Sequence, residues 1–391
     1  MFDRKAHRIL EILQTLIRIR TCENGGDELD AVHYISSLFD NFPVQKNVIH
    51  HGENRASLMI SIDGEEFPGE KAAIVGHIDT LDPNNPSAWS HGPFSGFCEQ
   101  GTVFGVGASN AKGGVASMLE AAIDILESGE RPAHDLLLCF TADSVSKGIG
   151  AKSLVQGGYL SGVKEVVFCD PTGTNISVAQ KGAIFLRIRI RGRSRHVMES
   201  GQATDALKVL SKFTDKLSAR FKKVDAHPPL GECSVFLTQV ATSGNAPWMI
   251  PENVTASVDI RTTPCIDNAD ALQIIHEAHK QVASSCPLAE LEVEIVKNLQ
   301  TIGISSEAPL VGRFRKLCSG LGREPQIVGQ SFFTEAPYIV PSLGVPFITI
   351  GPGASACCDR EDESVLLDDV IFVSRVYRDY MRGGFSQASE I

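Results

Sequence analysis

No stretch of this chain approaches the run of about eighteen apolar residues that a membrane-crossing helix needs, which excludes an integral membrane protein of the helical kind. Positive charge is also short. The 391 residues carry 36 Lys and Arg against 47 Asp and Glu, a net charge of −11, so neither nucleic acid nor an anionic membrane is expected as a partner. No charged-then-apolar leader opens the chain, and a cytoplasmic location is expected. Low-complexity segments and internal repeats are absent. The ten cysteines are scattered and lie in part within apolar runs such as LLLCF and VVFCD. That usage lacks the spacing of a disulfide framework and predicts buried free thiols in a reducing compartment.

A chain of this length predicts two domains. The N-terminal RKAHRILEILQTLIRIRT spaces Ile9, Leu10, Ile12, Leu13 and Leu16 as one helix. Short apolar runs follow, namely SLMISI (57–62), AAIVGHID (72–79), DLLLCFTAD (135–143), EVVFCDP (165–171) and PFITIGPG (346–353). They predict an α/β fold, a mainly parallel sheet sandwiched by helices, over 1–180 and 298–391. Between 181 and 297 the texture changes. In AIFLRIRIR, Ile184, Leu186, Ile188 and Ile190 alternate with Phe185 and three arginines, as in a strand with one wet face. The order strand, helix, strand, strand, helix, strand predicts an inserted ferredoxin-like α+β domain.

The loop FGVGASNAKGG (104–114) stands before a helix-forming segment and has the glycines of a ligand-cradling turn. It matches neither phosphate pattern. In the P-loop count from Gly105, Asn110 takes the second glycine's place and Lys112 falls one residue late; G-x-G-x-x-G likewise ends on Asn110. A metal reading starts upstream in VGHID. On a strand, His77 and Asp79 share a face, and an imidazole with an orienting carboxylate is a common way to build a zinc ligand. A lone His-x-Asp is more often a surface pair or a satisfied core histidine, so the spacing alone decides nothing.

GHID (76–79), GVGASNAKGG (105–114), FTADSVSKGIGA (140–151), DPT (170–172), GRSRH (192–196), DIRTTP (259–264), TEAP (334–337) and GPG (351–353) occur in that order. Together they make the chain resemble the acetylornithine deacetylase, succinyl-diaminopimelate desuccinylase and carboxypeptidase G family of zinc amidohydrolases. TEAP followed by GPG is most similar to the acetylornithine deacetylase branch. The resemblance implies that the inserted domain is a lid and dimerisation domain, giving a homodimer. It also implies a two-zinc site. On that basis His77 matches a ligand of the first metal, Asp79 the residue that orients it, and Asp170 the first metal's carboxylate. Asn110 stands at the bridging aspartate, Ser144 at the general base, Val145 at a ligand of the second metal, and Cys358 or Asp359 near the last histidine. No histidine follows His279. Arg261 matches a substrate-carboxylate position, His196 the lid histidine that acts across the dimer, Glu335 a residue near the substrate, and Trp248 replaces a substrate-facing asparagine.

The departures carry weight. Two divalent ions about 3.5–4 Å apart repel by roughly 18 kcal/mol at an effective dielectric near 20. A bridging carboxylate offsets part of this, whereas the Asn110 amide is neutral and Val145 has no ligand atom. No metal, or a single zinc on His77 and Asp170 with help from Asn110, Cys357, Cys358 or Asp359, is expected; paired zinc is not. Ser144 cannot act as a base at neutral pH, and Asp143 would point to the opposite face if its strand continued. The expectation is a chain without two-zinc hydrolysis, kept for metal-independent chemistry or for binding a small amino-acid-like ligand. The alternatives are a single-metal N-acyl amino acid deacylase, and a non-catalytic subunit that pairs with an active relative.

Overall fold

The computed structural model of the chain describes residues 4–22, 27–244, 246–332 and 334–383. The chain divides into two compact units, one running up to residue 178 and again from 304, the other spanning 179–303.

In the larger unit the apolar runs form one sheet. Its strands lie in the order Gln45–His50, Ala56–Ile62, His134–Thr141, Phe67–His77, Val163–Phe168, Phe347–Thr349 and the start of Ile176–Gln180. The four strands from His134–Thr141 to Phe347–Thr349 are parallel to one another. Ala56–Ile62 departs from the expected direction, pairing antiparallel on both sides. Its apolar run comes from burial on both faces, since the helix Glu28–Ser37 covers it. A continuous hydrophobic run reports two-sided burial and not strand direction.

The helix Gly113–Glu127 is buried at every residue from Gly113 to Ile125. It packs between the helices Arg4–Arg18 and Leu367–Arg382, which accounts for a largely apolar sequence on every side, its buried acids Glu120 and Asp124 being paired with Arg8 and with Lys5 and Arg378 of those two helices. In Arg4–Arg18 the buried face is Ile9, Ile12, Leu13, Leu16 and Ile17, with Leu10 only half-buried. Cys139 and Cys169 are buried in the strand region, and all ten cysteines are free.

The smaller unit has strands in the order Ser234–Thr242, Asn253–Thr262, Gly182–Arg191 and Glu290–Leu299, all antiparallel. With the helices Ala206–Phe221 and Asn268–Ser285 this is the ferredoxin-like plan. Asp205 and Asp267 cap these helices by accepting from the amides of Leu207, Lys208 and Asp270, which sets where each begins. Ile184, Leu186, Ile188 and Ile190 face the core against Phe213, Leu217 and Val258. On the wet face Arg187 and Arg189 pair with Glu294 across the ladder.

Three parallel strands of the larger unit end at His77, Thr141 and Phe168, and a fourth at Thr349. The segments that follow carry Asp79, 142–145, Asp170 and 351–359. In open α/β sheets ligands bind outside such carboxyl ends.

Candidate functional site

His77 is the last residue of its strand and is 3% exposed. Asp79 lies two residues past the strand end, where its backbone oxygen is 2.9 Å from His77 Nδ1 and its Oδ1 3.5 Å. On the other side of the ring, Asn110 Oδ1 lies 3.1 Å from His77 Nε2. Asp170 Oδ1 is 3.8 Å from the same nitrogen. The Asn110 amide is oriented by its far end, where Nδ2 approaches the two oxygens of Asp359 at 3.4 and 3.5 Å. Turning the amide over would set its oxygen against that carboxylate, so Oδ1 faces the imidazole and accepts from it. Both ring nitrogens therefore face acceptors, and both carry hydrogen.

Electrostatics agree with that assignment. Burial alone would lower the pKa of His77. The Asp79 carboxylate, together with the charges of Asp170 and Glu335, overcomes this and pushes it up to about 10. Burial pushes Asp170 up to about 6 and Glu335 up to about 8, with His77 pulling both back. Asp359 is also raised by burial. Glu335 is 3% exposed and accepts from the Thr141 hydroxyl. One oxygen each of Asp79, Asp170 and Glu335 is buried with no hydrogen-bond partner. These carboxylates face an imidazolium instead.

The loop that presents Asn110 is shaped by two glycines in particular. Gly107 adopts φ +80°, a left-handed conformation. At Gly114 an added Cβ would lie 2.0 Å from the Cys169 carbonyl oxygen, so only glycine lets this helix start against that strand end. Glu363 holds the loop, accepting from the amides of Gly107, Ser109 and Asn110. Lys112, 1% exposed, donates to the carbonyls of Leu16 and Ile19 at the end of the first helix. Neither role was readable locally. Glu363 lies 254 residues from Ser109, and Lys112 stood out only as a failed phosphate lysine.

Ser144 and Val145 are half-buried, and the Val145 amide donates to Asp79 Oδ2 at 3.0 Å. Position 145 thus supplies a backbone donor in place of a ligand. Asp143 does not continue the strand, which ends at Thr141, and it sits at φ +61°. The condition under which it would face away is therefore not met, and its carboxylate pairs with Arg55 and accepts from the amides of Lys147 and Ile149. Arg55 also pairs with the fully buried Glu28 at 3.0 Å. Cys358 lies beside Ser109 Oγ and the Ala354 carbonyl, and burial pushes its thiol up to about 12, so it is no ready thiolate. Cys357 is half-buried.

The residues of the smaller unit have their own surroundings. Arg261 is held bidentately by Asp259, at 2.8 and 2.9 Å, two residues back on the same strand face, and lies over the Phe185 ring. A carboxylate ligand there would compete with Asp259. His196 is exposed, and its Nδ1 accepts from the Met198 amide. Trp248 is 57% exposed.

The donor set does not fit a pair of divalent metals. His77 Nε2 is committed to a neutral amide, and positions 144 and 145 offer a hydroxyl and an alkyl group. Among the described residues no group of three or more His, Cys, Asp or Glu could hold a metal ion. Also among the described residues, no helix is long and apolar enough to cross a membrane.

Burial has a pH consequence at Glu28. Desolvation pushes its carboxyl up to about 7, Arg55 pulling it down and Asp79 and Asp143 pushing it up. Its unfolded value is near the ordinary 4.5. Between those values the folded chain binds more protons, so this group makes stability fall as pH rises through the window. Glu28→Gln removes that contribution. The melting temperature of the wild type should drop more between about pH 5 and about pH 8 than that of the variant; parallel profiles would refute this.

Residues 73–383 match peptidase family M20/M25/M40. A probable succinyl-diaminopimelate desuccinylase of Staphylococcus epidermidis is 23% identical over 400 residues, covering 95% of this chain and 96% of that one. Among solved structures, aminopeptidase PepT from Bacillus cereus superposes with a TM-score of 0.77 at 16% identity, over 96% of this chain and 98% of the other. A dinuclear metal binding peptidase of the M20 family from Bacillus subtilis gives 0.69 at 14% identity, over 96% and 97%.

Proposed function

The chain belongs to peptidase family M20/M25/M40, and from that premise we propose that it is an amidohydrolase-like member without two-metal hydrolysis, retained to bind a small amino-acid-like ligand or to act on it without metal. The observation that carries this reading is the His77 Nε2 to Asn110 Oδ1 hydrogen bond, which spends the imidazole lone pair that a metal would need. The ligand side is supported by a cavity of about 540 Å³ bordering Asp359, with Asp82, Trp89 and Glu361 among its walls. That volume suits an amino acid or a short acylated derivative. TEAP and GPG favour the acetylornithine deacetylase branch, hence an N-acyl amino acid skeleton.

Metal analysis of protein purified without chelators should find well below one zinc per chain. A panel of amino acids and N-acyl amino acids should raise the melting temperature for some members with zinc absent. Near-stoichiometric paired zinc overturns the reading. A single-metal deacylase using Asp143 is disfavoured by the engagement of that carboxylate with Arg55 and two backbone amides.

A second reading concerns assembly. The edge strand Ser234–Thr242 leaves Phe236, Leu237 and Val240 exposed, at 59%, 45% and 46%. An apolar edge of this kind favours strand pairing with another copy or with an active relative. We propose a homodimer through this unit. Phe236→Lys combined with Val240→Lys should give a monomer in light scattering; an unchanged mass overturns it. Co-purification of a second family member from the native host would favour the mixed dimer instead.

A further inference from the structure

The two helices of the smaller unit pack against each other, and the end of the second brings a thiol to an amine of the first. Cys286 is the C-cap of Asn268–Ser285, and Pro287 keeps that helix from running on. Lys212 lies on the exposed side of Ala206–Phe221, and its Nζ donates to Cys286 Sγ at 3.7 Å across 74 residues of sequence. The Ser285 hydroxyl stands 3.7 Å from the same sulfur. Lys212 and Cys286 both line a cavity of about 360 Å³, with Lys208, Val209 and Leu288 among its other walls. Cys286 is half-buried there, within reach of a small solute, whereas Cys139, Cys169, Cys233 and Cys318 are enclosed. We propose that Lys212 and Cys286 form a redox pair, which a hydroperoxide joins through a reversible sulfur–nitrogen bond, tying the two helices together.

The chemistry balances with hydrogen peroxide as the sole co-reactant. First the Cys286 sulfur attacks one peroxide oxygen. An S–O bond forms, the O–O bond breaks, and the departing hydroxide takes a proton and leaves as water. Sulfur is oxidised by two electrons to a sulfenic acid, and the peroxide is reduced by the same two. Then the neutral amine of Lys212 attacks the sulfenic sulfur. An S–N bond forms, the S–O bond breaks, and the hydroxyl leaves with an amine proton as a second water. In sum, thiol, amine and peroxide give a sulfenamide and two waters. An amine already held against the sulfur captures the sulfenic acid ahead of any solute, because the encounter is intramolecular. The flexible lysine stem closes the remaining distance, and the cavity leaves it room to turn. A small thiol reverses the link by attacking the sulfur, so that the S–N bond breaks and the amine departs with the thiol's proton. A second thiol then frees Cys286 and carries the first away as a disulfide.

The test treats the full chain with hydrogen peroxide, digests it with trypsin without reductant and weighs the peptides. The expected product joins the peptides of Lys212 and Cys286 with the loss of two hydrogens, resists cleavage after Lys212, and comes apart with dithiothreitol. The treated protein should melt several degrees higher than the untreated, since the tie closes a long loop of chain, and should lose that gain with dithiothreitol. Lys212→Arg keeps the positive charge but supplies no nucleophilic amine, so it should show neither the link nor the shift. Lys212 is exposed, and its replacement leaves the core intact. Cys265 is the internal control: it is exposed, so access alone favours it, yet it should form no such link. A folded wild type in which Cys286 goes on to sulfinic acid with Lys212 free overturns the pair. So does a Cys286 link of undiminished yield in Lys212→Arg. Neither outcome depends on the metal content of the protein.

Discussion

Arg55→Ala is expected to destabilise the protein by about 3–5 kcal/mol, among the largest losses available from a single side chain outside the sheet. Arg55 is the shared cation of two carboxylates that water scarcely reaches. Glu28 is fully buried and Asp143 is 2% exposed. Removing one partner of a buried pair leaves a desolvated charge, which costs far more than the pair itself contributes. Arg55→Lys should recover only part of the loss, because a point ammonium cannot satisfy two acids with the reach of a guanidinium fork. The cost should shrink toward acidic pH. Glu28, already pushed up to about 7 by burial, then takes a proton and no longer needs a counter-charge. Urea unfolding at about pH 5.5 and about pH 8 measures this directly. A loss under about 1 kcal/mol at the higher pH would place the pair among weak surface bridges. The consequence reaches the site, since Asp143 anchors the 143–149 turn that carries Ser144 and Val145.

How much of this could be read beforehand depended on whether the cause was local. The alternation in AIFLRIRIR reported a wet-faced strand because a pleat repeats every two residues, and the structure places Ile184 to Ile190 on the core face. The direction of SLMISI was hidden, because burial on both faces erases the pattern that would separate antiparallel from parallel. Asn110 was legible as an anomaly, since an amide among expected carboxylates is chemically conspicuous. What it does instead was not legible, because the orientation of its amide is set by Asp359, 249 residues away. The face of Asp143 stayed open for a related reason. Extending a strand by two residues assumes that backbone hydrogen bonds continue, and a left-handed residue stops them. His196, Arg261 and Trp248 were placed by resemblance, and their surroundings supply no independent argument for a ligand contact.

Glu363→Ala is the second large expected effect, and it tests what shapes the loop around Asn110. The Glu363 oxygens accept from the amides of Gly107 at 3.1 Å and of Ser109 and Asn110 at 2.9 Å each. All three donors are buried, and alanine would leave them without an acceptor. At about 1–3 kcal/mol for each unsatisfied buried group, the summed cost is several kcal/mol, less whatever water can enter. Glu363→Gln separates shape from hydrogen bonding. Its oxygen can keep the Ser109 and Asn110 amides, but its NH2 then opposes the Gly107 amide, so intermediate stability is expected. Hydrogen exchange at residues 107, 109 and 110 should accelerate in the same order, with the glutamine variant affected most at Gly107. Equal protection in all three proteins would mean that the turn is held by its glycines and by Lys112 alone. If exchange does accelerate, the loop that brings the Asn110 amide to His77 is carried by one distant carboxylate. The geometry of the site then depends on a residue with no direct contact to His77.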